Sequence, residues 1–274
     1  MTQGRKIDCH AHIIDPARFA LADGPGYRPK PHEVGAAGDF LAVLDQHGVS
    51  HALLVQPSGY GTDNRAMLDA IARHPGRFRG IAVVERDVDD ATLHHLAASG
   101  VVGVRFNLVS YRPDDLAGPQ AEKLLARLRE LGWHAQVFAT DPQWQAVAPV
   151  LRRAGVRVLV DHFGVADPAV GPDAPGFQAV LAVGRDGLAA VKLSAAFRAG
   201  DPARLDPYAA ALLAAFGPQN CVWGSDWPFL AVTDPPRYAE TLQPPNRWLP
   251  DAKQLAQVLW DTPAALFGFS EVAP

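Results

Sequence analysis

Residues 103–161 read GVRFNLVSYRPDDLAGPQAEKLLARLRELGWHAQVFATDPQWQAVAPVLRRAGVRVLVD, and the order of patterns in that stretch decides the fold. Three short β-rich runs, Gly103–Asn107, His134–Ala139 and Arg157–Asp161, alternate with two longer helical ones, Gln120–Leu131 and Pro142–Arg153. Gly132 and Gly155 each follow a helix and precede a strand, as a glycine that closes a helix should. Asp141-Pro142 opens the second helix, because Asp caps free N–H groups and Pro suits the first turn. Strand, helix, strand, helix, strand predicts parallel strands joined by right-handed crossovers.

The same unit recurs on either side. Lys6–His12, Ala52–Gln56, Arg79–Val84, Ala189–Leu193 and Cys221–Gly224 read as further strands. Phe40–His47, Asn64–Arg73, Asp90–Ala98, Gly176–Val183, Asp206–Phe216 and Asp251–Trp260 read as further helices. Thr62-Asp63-Asn64 and Asp89 supply helix starts, and Gly48 and Gly100 supply stops. Eight repeats within 274 residues predict an α/β protein, a (β/α)8 TIM barrel forming one domain over residues 1–274. An open doubly wound sheet competes with it, but no Gly-x-Gly-x-x-Gly follows the first strand. Segments after strands are long, notably Ile13–Asp39, Val109–Gly118, Gly164–Pro175 and Trp227–Leu249, and barrels build their sites from such segments. Gly24-Pro25-Gly26-Tyr27-Arg28-Pro29-Lys30-Pro31 is either a proline-stiffened surface loop or part of a lid over the barrel mouth.

Composition narrows the function classes. A formal charge of -4 with no Lys/Arg run argues against nucleic acid or an anionic membrane as partner. Met1-Thr2-Gln3-Gly4-Arg5-Lys6 has no signal-like apolar segment, and no apolar run approaches the ~18 residues of a spanning helix. A soluble, cytoplasmic protein is expected. Cys9 and Cys221, the only cysteines, are too few for a disulfide framework and are expected as buried, reduced thiols.

Three strand ends carry the candidate chemistry. Asp8-Cys9-His10-Ala11-His12 ends the first strand, and strict alternation puts His10 and His12 on one face with Cys9 and Ala11 on the other. Val160-Asp161-His162-Phe163-Gly164 ends the sixth, and Gly224-Ser225-Asp226-Trp227-Pro228 ends the eighth. In a closed barrel Asp226 faces His10 and His12, where a carboxylate can take a proton from water. A turn cap is the plainer use of Asp226, and a bond to a loop carbonyl that of His162. Arg105 lies inside an apolar strand, while Lys192 and Arg198 bracket the seventh strand end. An unpaired buried charge is costly, so Arg105 needs an anionic substrate or an internal carboxylate such as Asp8, Glu85 or Asp161. Ser58, Tyr60 and Thr62 offer neutral donors at the second strand end.

Together these segments, with Gln56–Asn64 and Lys192–Arg198, resemble the amidohydrolase superfamily. The resemblance is to its branch of 2-pyrone-4,6-dicarboxylate lactonase and related lactonases. That likeness implies hydrolysis of a small carboxylated lactone, with Asp226 activating water and His10, His12 and His162 polarising the carbonyl. It implies Arg105 and Arg198 as carboxylate holders, with Ser58, Tyr27 and Arg112 as further substrate contacts. The branch also implies that no metal is required. Binuclear members carry a bridging residue on the fourth strand and a histidine on the fifth, where this chain has Arg105–Asn107 and Gln136–Phe138. His134 lies too early in its strand. A single zinc or manganese ion remains open through His10, His12 and Asp226, with His162 as a further ligand. Rival readings are a metal-dependent amide hydrolase or decarboxylase on the same barrel, and a non-catalytic barrel that binds an organic acid.

Overall fold

The computed structural model describes residues 5–23 and 27–270. In chain order its first half runs β1 (Ile7–Ala11), α1 (Ala37–Gln46), β2 (His51–Val55), α2 (Arg65–Arg73), β3 (Phe78–Ala82), α3 (Asp90–Ala98), β4 (Val101–Asn107) and α4 (Gly118–Glu130). The second half runs β5 (His134–Phe138), α5 (Asp141–Ala154), β6 (Arg157–Val160), the helical turn α6 (His162–Val165), α7 (Pro175–Arg185), β7 (Ala189–Ser194), α8 (Asp206–Phe216) and β8 (Cys221–Gly224). Short helices α9 (Tyr238–Thr241), α10 (Gln243–Trp248), α11 (Ala252–Ala256) and α12 (Thr262–Phe267) follow.

The strands pair in parallel, in sequence order from β1 to β8. Each predicted strand forms, its ends shifted by no more than two residues. Covered on both faces, β1, β2, β7 and β8 are continuously buried, as crossover helices require of a parallel sheet. The ring closes just past β8. Asp226 N–H donates to His10 O at 2.8 Å and His12 N–H to Trp227 O at 2.8 Å. Glycine is needed there, because a Cβ on Gly224 would stand 2.7 Å from His10 N.

Helix punctuation follows the sequence in part: the expected cap Asp141 is already the first residue of α5, where Thr140 takes the cap position, and its carboxylate instead accepts Phe177 N–H at the start of α7. Asp89 accepts Thr92 N–H at the start of α3, and Gly155 closes α5 in the left-handed region with φ 61°. The last helix departs from expectation. Instead of stopping at Trp260, the chain passes through a π-type turn at Gln257–Asp261 and continues as α12. Pro263 cannot donate to an α ladder, and the wider turn before it absorbs that loss. The continuation places Phe267 against Ile7, Cys9, Ile81 and Val222 in the barrel interior.

That interior also corrects the reading of β1. Between Asp8 and Ala11 the strand advances three residues while β2 advances two, which is a bulge. Cys9 therefore packs inside with Ile7, Leu53 and Val55, whereas Ala11 belongs to the outer layer with Ala52 and Leu54. Asp8 secures the bulge: Oδ1 accepts His10 N–H at 3.1 Å and Ser225 N–H at 2.8 Å, and Oδ2 accepts the Tyr238 hydroxyl at 2.9 Å. Cys9 and Cys221 are both buried and free.

Of the proline-rich first loop, Gly24-Pro25-Gly26 lies outside the described residues. Its flank is anchored, since Tyr27 donates to Glu33 and Ala231 N–H, in the loop after β8, donates to both side chains. No helix among the described residues is long and apolar enough to cross a membrane.

Candidate active site

The bulge turns His10 towards His12, the closure sets Asp226 beside them, and the end of β6 delivers His162. Their Nε2 atoms lie 3.7 Å (His10), 3.8 Å (His12) and 3.8 Å (His162) from one oxygen, Asp226 Oδ1. All four side chains are buried. His162 and Asp226 both take left-handed backbone conformations, φ 46° and 68°, at non-glycine positions. Such strain costs on the order of 1–3 kcal/mol per residue and concentrates where side-chain aim matters.

Each imidazole is held from behind. His12 Nδ1 lies 2.7 Å from Val55 O, and His162 Nδ1 lies 2.7 Å from Ser194 Oγ. His10 Nδ1 lies 3.1 Å from Lys192 Nζ and 3.3 Å from Asp161 Oδ1. Beneath it Lys192 also reaches Gln136 Oε1 at 2.8 Å and Asp161 Oδ1 at 3.1 Å, while Gln136 donates to Asp161 Oδ2 at 3.0 Å. Lys192, Asp161, Gln136 and His10 have no exposed surface. Of the carboxylates open to Arg105, Asp161 is the neighbour, 3.7 Å from Nε. The same guanidinium donates to Gln56 O and lies over the Phe138 ring.

Arg198 has a partner not anticipated from the sequence. Its Nε and Nη2 donate to Asp226 Oδ2 at 2.9 and 2.7 Å, and Nη2 also to Leu230 O. Asp226 thus turns one oxygen to the guanidinium and the other to the imidazoles. Tyr27 is engaged with Glu33, and Arg112 with Glu85 and Val84 O. Ser58 opens a short 3-10 turn after β2. His134 sits at the start of β5 beside Val102 O and Phe267, at the opposite end of its strand from the convergent histidines.

Burial governs the protonation states. It lowers His12 and His162 to about 4 and holds His10 well below its ordinary value, with Lys192 adding to the effect on His10. At neutral pH all three imidazoles are uncharged, the form that ligates a metal. Burial pushes the Asp226 carboxyl up, but Arg198 and then the histidines outweigh it and hold the group well below the usual carboxylate range. Asp161 is likewise held low, because Lys192 and His10 outweigh its desolvation.

These shifts set a pH dependence of stability. Above pH 6.5 a histidine is neutral both folded and unfolded, and its contribution is fully present. As pH falls from 6.5 towards 4, the unfolded chain takes up protons that the folded His12, His134 and His162 refuse. Each then withdraws on the order of 3 kcal/mol. Asp8, raised to about 6 mainly by burial, opposes this over a similar range and offsets about one histidine. Melting curves of chelator-treated protein should therefore show Tm falling steadily between pH 7 and 4.5. A flat or rising Tm would contradict the buried neutral histidines.

Ligand atoms of His10, His162 and Asp226 all lie within 4.8 Å of one another, and His12 Nε2 adds a third nitrogen, the fourth ligand atom, 3.3 Å from His10 Nε2. Three neutral nitrogens and one carboxylate suit one zinc or manganese ion. The sequence points to His10, His12 and Asp226 as the set; in the tightest group His162 takes the place of His12, which stands beside it.

A family model for amidohydrolases matches residues 7–269. The chain belongs to the amidohydrolase family. This amidohydrolase is 29% identical over 273 residues to the 4-sulfomuconolactone hydrolase of Rhizobium radiobacter, covering 95% of this chain and 89% of that one. It is 28% identical to a 2-pyrone-4,6-dicarboxylate hydrolase of Comamonas testosteroni, over 83% of this chain and 78% of the relative. Among solved structures it is similar to a probable 2-pyrone-4,6-dicarboxylic acid hydrolase from Acinetobacter baumannii with citric acid bound. There the TM-score is 0.88 and the identity 30%, over 96% and 99% of the two chains.

From the sequence, Asp161 stood only as one possible partner of Arg105 and Lys192 only as a charge near a strand end, while Gln136 and Ser194 had no part in this amidohydrolase site. A signal existed for Lys192. A lysine within Ala-Ala-Val-Lys-Leu-Ser alternates onto the same face as Ala190 and Ser194, which is the barrel interior.

Proposed function

We propose that this amidohydrolase opens a small carboxylated lactone at a mononuclear centre. The observation that carries the reading is the convergence of three neutral imidazoles and Asp226 on one point beside Arg198. A cavity of about 200 Å³ adjoins that point, walled by Phe138, Val165, Ala166, Pro168 and Leu205, with Arg198, His162 and Ser194 as its polar members. Such walls suit a flat ring, and one guanidinium suits one carboxylate. The lactone hydrolases among the relatives and the citrate in the similar structure support the same substrate class.

Two features favour a metal-assisted centre over the metal-free one expected from the sequence. His12 Nδ1 donates to Val55 O, so its Nε2 carries a lone pair and has no hydrogen to offer a carbonyl. Asp226, held so low by Arg198, is a poor base towards an ordinary water. His10, His162 and Asp226, with His12 beside them, would hold the ion, which would polarise the lactone carbonyl and make a water easier to deprotonate. The chain's own part is to orient and to move protons. A substrate carboxylate that engages Arg198 draws it from Asp226 Oδ2, and the freed carboxylate becomes more basic only when substrate is present. The freed carboxylate then takes one proton as the water oxygen adds to the acyl carbon, and returns it to the ring oxygen as the acyl C–O bond breaks; the new carboxylic acid gives up its proton to solvent, leaving one carboxylate and one hydroxyl.

The direct test is turnover of 2-pyrone-4,6-dicarboxylate and other carboxylated lactones with zinc or manganese supplied, read as acid release. No opening of any, or release of carbon dioxide instead, would overturn the reading. Arg198→Met should raise KM for a carboxylated lactone at least tenfold while changing that for its methyl ester little. Equal effects on both would remove Arg198 from carboxylate binding.

A further inference from the structure

Arg198 is held at a second place besides Asp226, because Nη2 also donates to Leu230 O at 2.9 Å. That carbonyl belongs to the same peptide unit as Ala231 N–H, and the N–H faces a carboxylate. Ala231 N–H donates to Glu33 Oε1 at 2.8 Å and to the Tyr27 hydroxyl at 2.9 Å, and the hydroxyl in turn donates to Glu33 Oε1 at 2.6 Å. One planar peptide therefore links an anion on its N–H side to a cation on its C=O side, and hydrogen bonds aligned in this way strengthen each other. The segment would not take this shape unaided. Phe229 and Ala231 have φ of 67° and 59°, left-handed values at non-glycine positions that persist only where the surroundings impose them.

Glu33 itself is firmly placed. It has no exposed surface, Oε2 accepts Lys30 N–H at 2.6 Å, and two residues on, Gly35 and Ile14 exchange both backbone hydrogen bonds at 2.9 Å. The Arg198 side chain is 38% exposed, so its guanidinium has room to swing once it leaves Asp226. We propose that Glu33 is a positioning residue for Arg198. Through the 230–231 peptide it fixes the carbonyl that keeps the guanidinium at the mouth while a substrate carboxylate takes the place of Asp226. Glu33 does not line the cavity beside His162 and acts through the loop after β8 alone. The inference rests on Arg198 as the holder of a substrate carboxylate, and neither on the ion nor on which ester is opened.

Glu33→Ala removes the acceptor, and KM for a carboxylated lactone should rise at least tenfold while that for its methyl ester stays within about twofold. Added to Arg198→Met, the same substitution should change KM no further, because its effect runs through that guanidinium. Equal effects on acid and ester, or additivity with Arg198→Met, would mark a merely structural side chain and overturn the proposal. Calorimetry with 2-furoate, a flat-ring monocarboxylate, gives a readout that needs no turnover. Glu33→Ala should bind it at least tenfold more weakly than wild type. Equal affinity overturns the proposal even when lactones are opened, whereas a wild type that opens none but shows this loss has failed only as a lactonase. Should Glu33→Ala not fold, Glu33→Gln keeps the volume while one of the two oxygens becomes a donor, and the same selective weakening, about threefold, is expected. No weakening there overturns the proposal as well.

Discussion

Asp226→Asn is expected to leave the barrel folded and to lower kcat at least a thousandfold with any lactone the enzyme opens. The substitution keeps shape and volume but removes the negative charge from both tasks of the side chain. The Asn amide cannot take a proton from water, and loss of a general base costs about 10²–10⁴ in rate. Oδ1 also stands among the three Nε2 atoms as the only anionic ligand atom of the His10, His162 and Asp226 group, so the ion should be held more weakly as well. The fold has its own supports at this place, because closure beyond β8 uses the backbone of residues 226 and 227. Circular dichroism and melting should match wild type. A variant that retains more than about a tenth of the wild-type rate would end the role of Asp226 as the proton acceptor.

Exhaustive chelation should have a comparable effect. If His12 lacks a hydrogen to offer and Asp226 is too weak a base alone, turnover should fall about a hundredfold or more when the ion is stripped. Zinc or manganese should restore it. Stripping should use a chelator at low millimolar concentration and neutral pH. Activity that is indifferent to chelation, with metal analysis showing none left, would return the chemistry to imidazole polarisation by His162 and to the metal-free centre the sequence suggested.

The eight strands, most helix ends and the grouping of His10, His12, His162 and Asp226 were legible because each has a local cause. Alternation, a capping Asp and a closing glycine act over a few residues, and barrel order then brings the strand ends to one rim. Three features were not legible. The bulge in β1 depends on Asp8 receiving hydrogens from residues 10 and 225 and from Tyr238, groups far apart in sequence. Arg198 read as a free substrate cation because nothing near it in sequence names Asp226 as its partner. Asp161 read as one of three carboxylates within reach of Arg105, whereas its stronger engagement is with Lys192 and Gln136.

The amino-acid sequence by itself determined the barrel and the residue types at its rim, because hydrophobic period and turn chemistry are properties of neighbouring residues. Only the tertiary structure decided which nitrogen of each histidine faces inward and which cation each carboxylate holds. Those choices are made by hydrogen-bond donors and acceptors that meet across the barrel, from strands as distant as β1, β2 and β7, and no local pattern encodes their polarity.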